Sequence, residues 1–128
     1  MKVVYFYAGI YAGKDYPEQR RLAALSIDSV RRSMPSAEVI HLTDMRMRPL
    51  YGVDSVVRME LKPGMNRADF QATIEGDCLF LDTDTIIVGD VISVFHDTSF
   101  QVAVSARSQS WESDDLPYNQ GVVFSRDG

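Results

Sequence analysis

Asp77-Cys78-Leu79-Phe80-Leu81-Asp82-Thr83-Asp84-Thr85-Ile86-Ile87-Val88-Gly89-Asp90 is the stretch on which the reading of this chain turns. Its segment Cys78–Leu81 is an unbroken apolar run, the pattern of a strand buried on both faces. Two carboxylates, Asp82 and Asp84, follow at once. A buried strand that closes on paired acids delivers concentrated negative charge to one end of a sheet. Such charge calls for compensation, and a divalent cation is the usual source. On an extended segment the two acids face the same side. If the chain turns at the strand end, both can still reach one ion. Oxygen-only ligands suit magnesium or manganese shared with phosphate oxygens, so the stretch points to a metal site that holds a nucleotide. The plain alternative is a surface turn with two solvated acids.

Working outward, residues 3–7 are β-branched and aromatic, as a buried strand requires. The loop after them carries Gly9 and Gly13, which permit tight turns and close approach of a ligand to backbone. Asp15, three residues before Glu18, is a variant capping box, and Pro17 suits a first helical turn. Ala23, Ile27, Val30 and Met34 recur at helical spacing, and Pro35 ends that helix. Residues 38–43 read as a second strand and residues 56–57 as the centre of a short third. Residues 66–75 read as a short helix with Ala68, Phe70 and Ala72 facing inward, closed by Gly76 in a left-handed cap. Residues 91–95 give one helical turn, and residues 101–106 and 122–125 two further strands. Alternation of this kind predicts an α/β sandwich with a mainly parallel sheet, whose ligands bind beyond the carboxyl ends of the strands. The first loop and the Asp82/Asp84 pair then share one edge.

The chain has 128 residues, which makes one domain over residues 1–128 the default. A net charge of −5 argues against a general nucleic-acid binder, which would show a basic face. Cys78 is the only cysteine, so no intrachain disulfide or zinc-cysteine cluster forms, and it reads as a small core residue. The Tyr-rich N-terminus lacks a clear cleavage site and reads as a strand rather than a leader. No window approaches the ~18 apolar residues of a membrane span. These points lead to a cytoplasmic protein. The sequence stops just after a strand, at Ser125-Arg126-Asp127-Gly128, which suggests further chain beyond it or a minimal domain.

The stretch Leu79-Phe80-Leu81-Asp82-Thr83-Asp84-Thr85-Ile86-Ile87-Val88 resembles the D-x-D motif of nucleotide-sugar-dependent glycosyltransferases of the GT-A fold, closest to family 8-like members and related bacterial or viral ones. Tyr118-Asn119-Gln120-Gly121-Val122-Val123-Phe124 resembles their Asn-x-Gly segment opening a later strand. Residues 7–16 occupy the place of their nucleoside-holding loop, and Arg67 that of an arginine on the helix before D-x-D. The resemblance implies a three-layer, Rossmann-like fold and a hexosyltransferase-type enzyme using Mn2+ or Mg2+. Its donor would be a nucleoside diphosphate sugar, UDP-linked by default, and its acceptor is open. Asp84 would bind the metal, with Asp82 on metal or ribose and Thr83 among the donor contacts. Ala8, Tyr11 and Tyr16 would border base and ribose, and Arg67 would face the phosphates or donor sugar. Asn119 and Gln120 would hydrogen-bond sugar hydroxyls where Gly121 lets the backbone approach. Asp114 or Asp115 would contact a sugar or act as general base, and Trp111 would stack on a sugar ring or anchor its loop. The family often adds a downstream histidine ligand; His41 and His96 do not match that place and read as structural or surface residues.

Three other readings compete. A haloacid-dehalogenase-like phosphohydrolase also ends a strand on D-x-D, with the first Asp as nucleophile, but near the start of the chain and with a downstream basic residue. Here Lys2, Lys14 and Lys62 all lie upstream of Asp82, leaving Arg107 and Arg126 for that role. A non-catalytic nucleotide- or glycan-binding module fits the same residues. A nucleotidyltransferase needs a Gly-rich basic first loop, which residues 8–14 match loosely.

Overall fold

Six strands build one sheet: β1 (Lys2–Phe6), β2 (Glu38–Asp44), β3 (Ser55–Met59), β4 (Cys78–Leu81), β5 (Val102–Ala106) and β6 (Tyr118–Ser125). Their order is β3-β2-β1-β4-β6-β5. The first four strands pair in parallel, while β6 is antiparallel to both β4 and β5. The computed structural model describes residues 1–9, 15–96, 99, 101–106 and 118–126, with backbone alone at 104–106 and 118–120. The α/β architecture with a mostly parallel sheet agrees with the reading of the sequence, and β4 has the bounds of its apolar run.

The pleat divides the strand side chains between two cores. Val3, Tyr5, Val39, Leu79 and Leu81 face one side, where helix α1 (Pro17–Ser33) covers them with Ala23, Ile27 and Val30. Met34, just past the helix, completes this cluster as its spacing predicts. Val4, Ile40, Leu42, Cys78 and Phe80 face the other side, under Phe70 of helix α2 (Arg67–Gln71) and Ile74 beyond it. Helix, sheet and helix make three layers. Cys78 is a buried free thiol, as expected.

Local chemistry corrects four expectations. Asp15 does not cap α1: Tyr16 is the N-cap and makes no side-chain cap bond, while Asp15 is drawn to Arg20 and Arg48. Helix α2 ends at Gln71 rather than residue 75. There the Thr73 hydroxyl donates to the Phe70 carbonyl at 2.7 Å, and the Ile74 N–H bonds back only to Gln71, so the chain tightens out of the helix. Ala68 and Ala72 are exposed, and Phe70 alone of the three turns inward. The start of α2 is well made: the Asn66 side chain accepts from the N–H groups of Ala68 and Asp69, and Asp69 accepts from the Asn66 N–H. Gly76 has the left-handed backbone expected of it, φ +89°, but lies beyond the helix rather than on its cap.

Candidate functional site

Strand order reverses between β1 and β4, the position where open α/β sheets leave a crevice beyond their carboxyl ends. The register Tyr5↔Leu81 brings the exit of β1, at Ala8 and Gly9, to the same sheet end as Asp82 and Asp84.

Beyond Leu81 the chain does not stay extended. The Thr85 N–H donates to the Asp82 carbonyl at 3.1 Å, closing a turn that carries Asp82, Thr83 and Asp84. The Asp82 N–H is held by the Gly121 carbonyl at 2.9 Å, so β6 sets the start of the turn. The Thr83 hydroxyl donates to Gln19 Oε1 on α1 at 3.1 Å. The two acids then meet different surroundings. Arg67 Nη1 donates to Asp82 Oδ1 at 2.6 Å, while Asp84 is exposed and makes no bond among the described residues. Arg67 Nε and Nη2 are buried with no hydrogen-bond partner among the described residues. Two orphaned cationic donors beside an acid turn are costly unless an anion completes them.

On the β1 side, one backbone atom fixes the exit of the strand. The Tyr7 carbonyl accepts from His41 Nε2 at 2.8 Å and from the Thr43 hydroxyl at 2.7 Å, both buried on β2. His41 Nδ1 in turn accepts the Leu50 N–H at 3.1 Å, which makes the ring neutral with its proton on Nε2. Asp44, at the end of β2, accepts three backbone N–H groups: Gly9 at 2.6 Å, and Arg46 and Met47 at 2.8 Å each. Burial pushes this carboxyl up, but the three N–H donors and Arg58 outweigh it and hold the pKa below the usual range. Gly9 approaches Asp44 so closely that a Cβ there would sit 3.3 Å from Oδ2. These backbone locks on Tyr7 and Gly9 escaped the sequence reading; an acid at the end of a strand, facing a glycine after its neighbour, was the available signal.

Beside this exit lies a cleft of about 850 Å3, lined by Gly9, Asp44, Met45, Met47, Arg48 and Leu61 among others. Asp15 stands on its rim, its carboxyl pulled down chiefly by the hydrogen bond from Arg20.

Of the residues singled out from sequence, Asp82, Thr83, Asp84, Arg67 and Gly121 gather at the turn. Ala8 is buried where β1 leaves the sheet. Tyr16 is partly exposed at the head of α1, its N–H on the Tyr7 hydroxyl at 3.1 Å. Asn119 and Gln120 lie on β6 next to Gly121, with backbone alone described. Tyr11, Trp111, Asp114 and Asp115 lie outside the described residues. His41 is buried and structural, and His96 is exposed. Among the described residues no three His, Cys, Asp or Glu side chains cluster as a metal cage. The turn does offer oxygen donors: Asp84, and Asp82 Oδ2, which has no bond among the described residues. One or two carboxylates with substrate phosphates and water is how magnesium is commonly held, so this donor set fits a metal carried by a nucleotide. It does not fit a metal held by protein alone.

No family model and no curated sequence matches the chain. Solved structures do. The glycosyltransferase GlyE of Streptococcus pneumoniae TIGR4 superposes with TM-score 0.60 at 19% identity, over 98% of this chain and 33% of GlyE. The galactosyltransferase LgtC, solved with donor and acceptor sugar analogues, gives TM-score 0.60 at 15% identity, over 98% of this chain and 58% of LgtC. An active-site mutant of LgtC gives 0.61 at 14% identity. The chain thus spans about a third of GlyE and somewhat over half of LgtC. Its mixed six-stranded sheet, closed at the switch point by an acid turn, has the fold of the GT-A glycosyltransferases.

Proposed function

We propose that this chain is the nucleotide-sugar-binding part, in one domain, of a metal-dependent glycosyltransferase. A single observation carries the reading. At the β1/β4 switch point Arg67 binds Asp82 of an acid turn, and among the described residues Asp84 is unpaired and the buried Arg67 Nε and Nη2 have no partner. Acceptors for a cation and donors for an anion stand together there, and a metal diphosphate satisfies both.

The donor is read as a nucleoside diphosphate sugar, UDP-linked by default. Its nucleoside would occupy the cleft beside Gly9 and Asp44, bordered by Ala8, Tyr11 and Tyr16. Its diphosphate would lie toward the turn, where Asp84 and Asp82 would hold Mn2+ or Mg2+. Such an ion supplies Lewis-acid stabilisation of the leaving diphosphate. The protein's part is to hold Asp84 in a fixed turn and to aim the Arg67 guanidinium at charge that grows as the sugar leaves. Thr83 keeps the turn against α1. Asn119 and Gln120, where β6 passes Asp82, would meet sugar hydroxyls with Gly121 giving backbone access. Asp114 or Asp115 would serve the acceptor or act as general base. Hexosyl transfer is the class this reading favours, and the lone thiol Cys78 suits a cytoplasmic setting. Among the described residues no helix is long and apolar enough to cross a membrane.

The test is calorimetric titration of UDP with Mn2+ and with chelator, on the chain and on Asp84→Ala, followed by sugar-nucleotide hydrolysis. Metal-dependent binding lost in Asp84→Ala supports the reading, and affinity indifferent to both chelator and substitution refutes it. Binding without hydrolysis would favour the non-catalytic module. Trapping of Asp82 by beryllium fluoride would favour the phosphohydrolase.

A further inference from the structure

Among the described residues no strand pairs with the segment leaving the acid turn, yet backbone groups of Thr85 and Ile87 are bonded. Helix α1 supplies the partners. Gln19, Ser26, Ser29 and Ser33 fall on one face of α1 at helical spacing. Gln19 takes the Thr83 hydroxyl, Ser26 donates to the Thr85 carbonyl, the Ser29 hydroxyl accepts the Ile87 N–H at 2.9 Å, and Ser33 donates to the Ile87 carbonyl at 3.3 Å. Ser26 has a second bond: its hydroxyl lies 2.7 Å from the Tyr5 hydroxyl. Both residues are fully buried.

The proton order in this chain is fixed by elimination. The Thr85 carbonyl can only accept, so Ser26 donates to it. Ser26 Oγ must then accept from Tyr5, whose phenol stays protonated because burial pushes its pKa up to about 12. The polar line Tyr5–Ser26–Thr85 therefore runs from the floor of β1, through α1, to the last residue of the turn that carries Asp84. A second polar link, Gln19–Thr83, joins α1 to the same turn.

We propose that Ser26, seated by Tyr5, is a positioning residue that fixes the Asp82–Thr85 turn and thereby the direction of Asp84. This rests on the reading of the turn as a metal-nucleotide site. Ser26 touches neither nucleotide nor metal; it acts through the Thr85 carbonyl. Without its hydroxyl, the Thr85 carbonyl loses its donor, the turn keeps the bonds of Asp82 and Thr83 to Gly121, Arg67 and Gln19 but not the one at Thr85, and Asp84 samples more directions. The cost falls on metal-dependent binding, because only that state requires one fixed carboxylate.

The experiment compares wild type, Ser26→Ala, Ser26→Thr and Tyr5→Phe by UDP calorimetry with Mn2+ and with chelator, alongside amide exchange at Thr85. Ser26→Ala is expected to weaken Mn2+-dependent UDP binding about tenfold, the size of one lost hydrogen bond, and to leave chelator-state binding unchanged. Thr85 exchange speeds up, Ser26→Thr restores both readouts through its retained hydroxyl, and Tyr5→Phe moves both in the direction of Ser26→Ala by less. Should Ser26→Ala fail to fold, Tyr5→Phe and Ser26→Thr carry the comparison. A wild type with a metal increment that Ser26→Ala keeps overturns the positioning role and leaves the function standing. Equal loss with metal and with chelator also overturns it, as damage to the fold alone. A wild type with no metal increment overturns the function, and this role falls with it.

Discussion

His41 is fully buried, donates from Nε2 to the Tyr7 carbonyl and accepts the Leu50 N–H at Nδ1. Protonation would place an N–H at Nδ1 against the Leu50 N–H and create a buried cation. Burial accordingly holds the pKa down to about 4 from 6.5, with Arg20 and Arg58 pushing the same way against the Tyr7 carbonyl and Asp44. The unfolded chain thus binds a proton at His41 that the folded chain refuses between pH 6.5 and about 4. The stability tied to this neutral ring is complete above 6.5 and is lost as pH falls through that window. At about 1.36 kcal/mol per pH unit the full loss is roughly 3 kcal/mol. Asp15, Asp44 and Asp54 have lowered carboxyl pKa values, so the stability they contribute is lost only at lower pH, below the histidine window. Urea denaturation across this pH range measures the slope. His41→Gln, neutral at every pH, should be less stable at pH 7 yet nearly flat through the window. A wild-type slope that survives in His41→Gln would refute the reasoning.

Arg67→Met should separate binding from folding. The Arg67–Asp82 pair is 20% and 42% exposed, so its loss should change stability by no more than about 1 kcal/mol, while UDP affinity with Mn2+ falls about tenfold or more. Melting and calorimetry read the two, and a large melting shift with unchanged affinity would contradict the role given to Arg67. Asp44→Ala removes the acceptor of three backbone N–H groups and should cost about 2 kcal/mol in urea denaturation, a loss well under ~0.5 kcal/mol counting against the lock on Gly9.

The sequence stated the sheet most plainly where burial left no choice. Cys78–Leu81 is apolar on both faces because helices cover both, and that alone located β4 and the acids after it. The 3.6-residue spacing of Ala23, Ile27 and Val30 located α1 for the same reason. Helix α2 was read too long because Thr73 and Ala72 are compatible with a helix, and only the bond of Thr73 to Phe70 ends it. Ser26, Ser29 and Ser33 form no part of the reading of the sequence. Nothing local shows that they face an extended segment far along the chain, although their helical spacing beside the apolar stripe was a hint. The contact of Arg67 with Asp82 was approached from sequence only through the family resemblance, since helix and turn meet through the tertiary fold.

The central claim concerns where a cation goes. Anomalous scattering from a crystal soaked in Mn2+ and UDP should place manganese about 2 Å from an Asp84 oxygen, with the diphosphate on its other side and Arg67 turned to a phosphate or sugar oxygen. Bound UDP with no ion near the turn, and both Asp82 and Asp84 facing bulk water, would contradict the account.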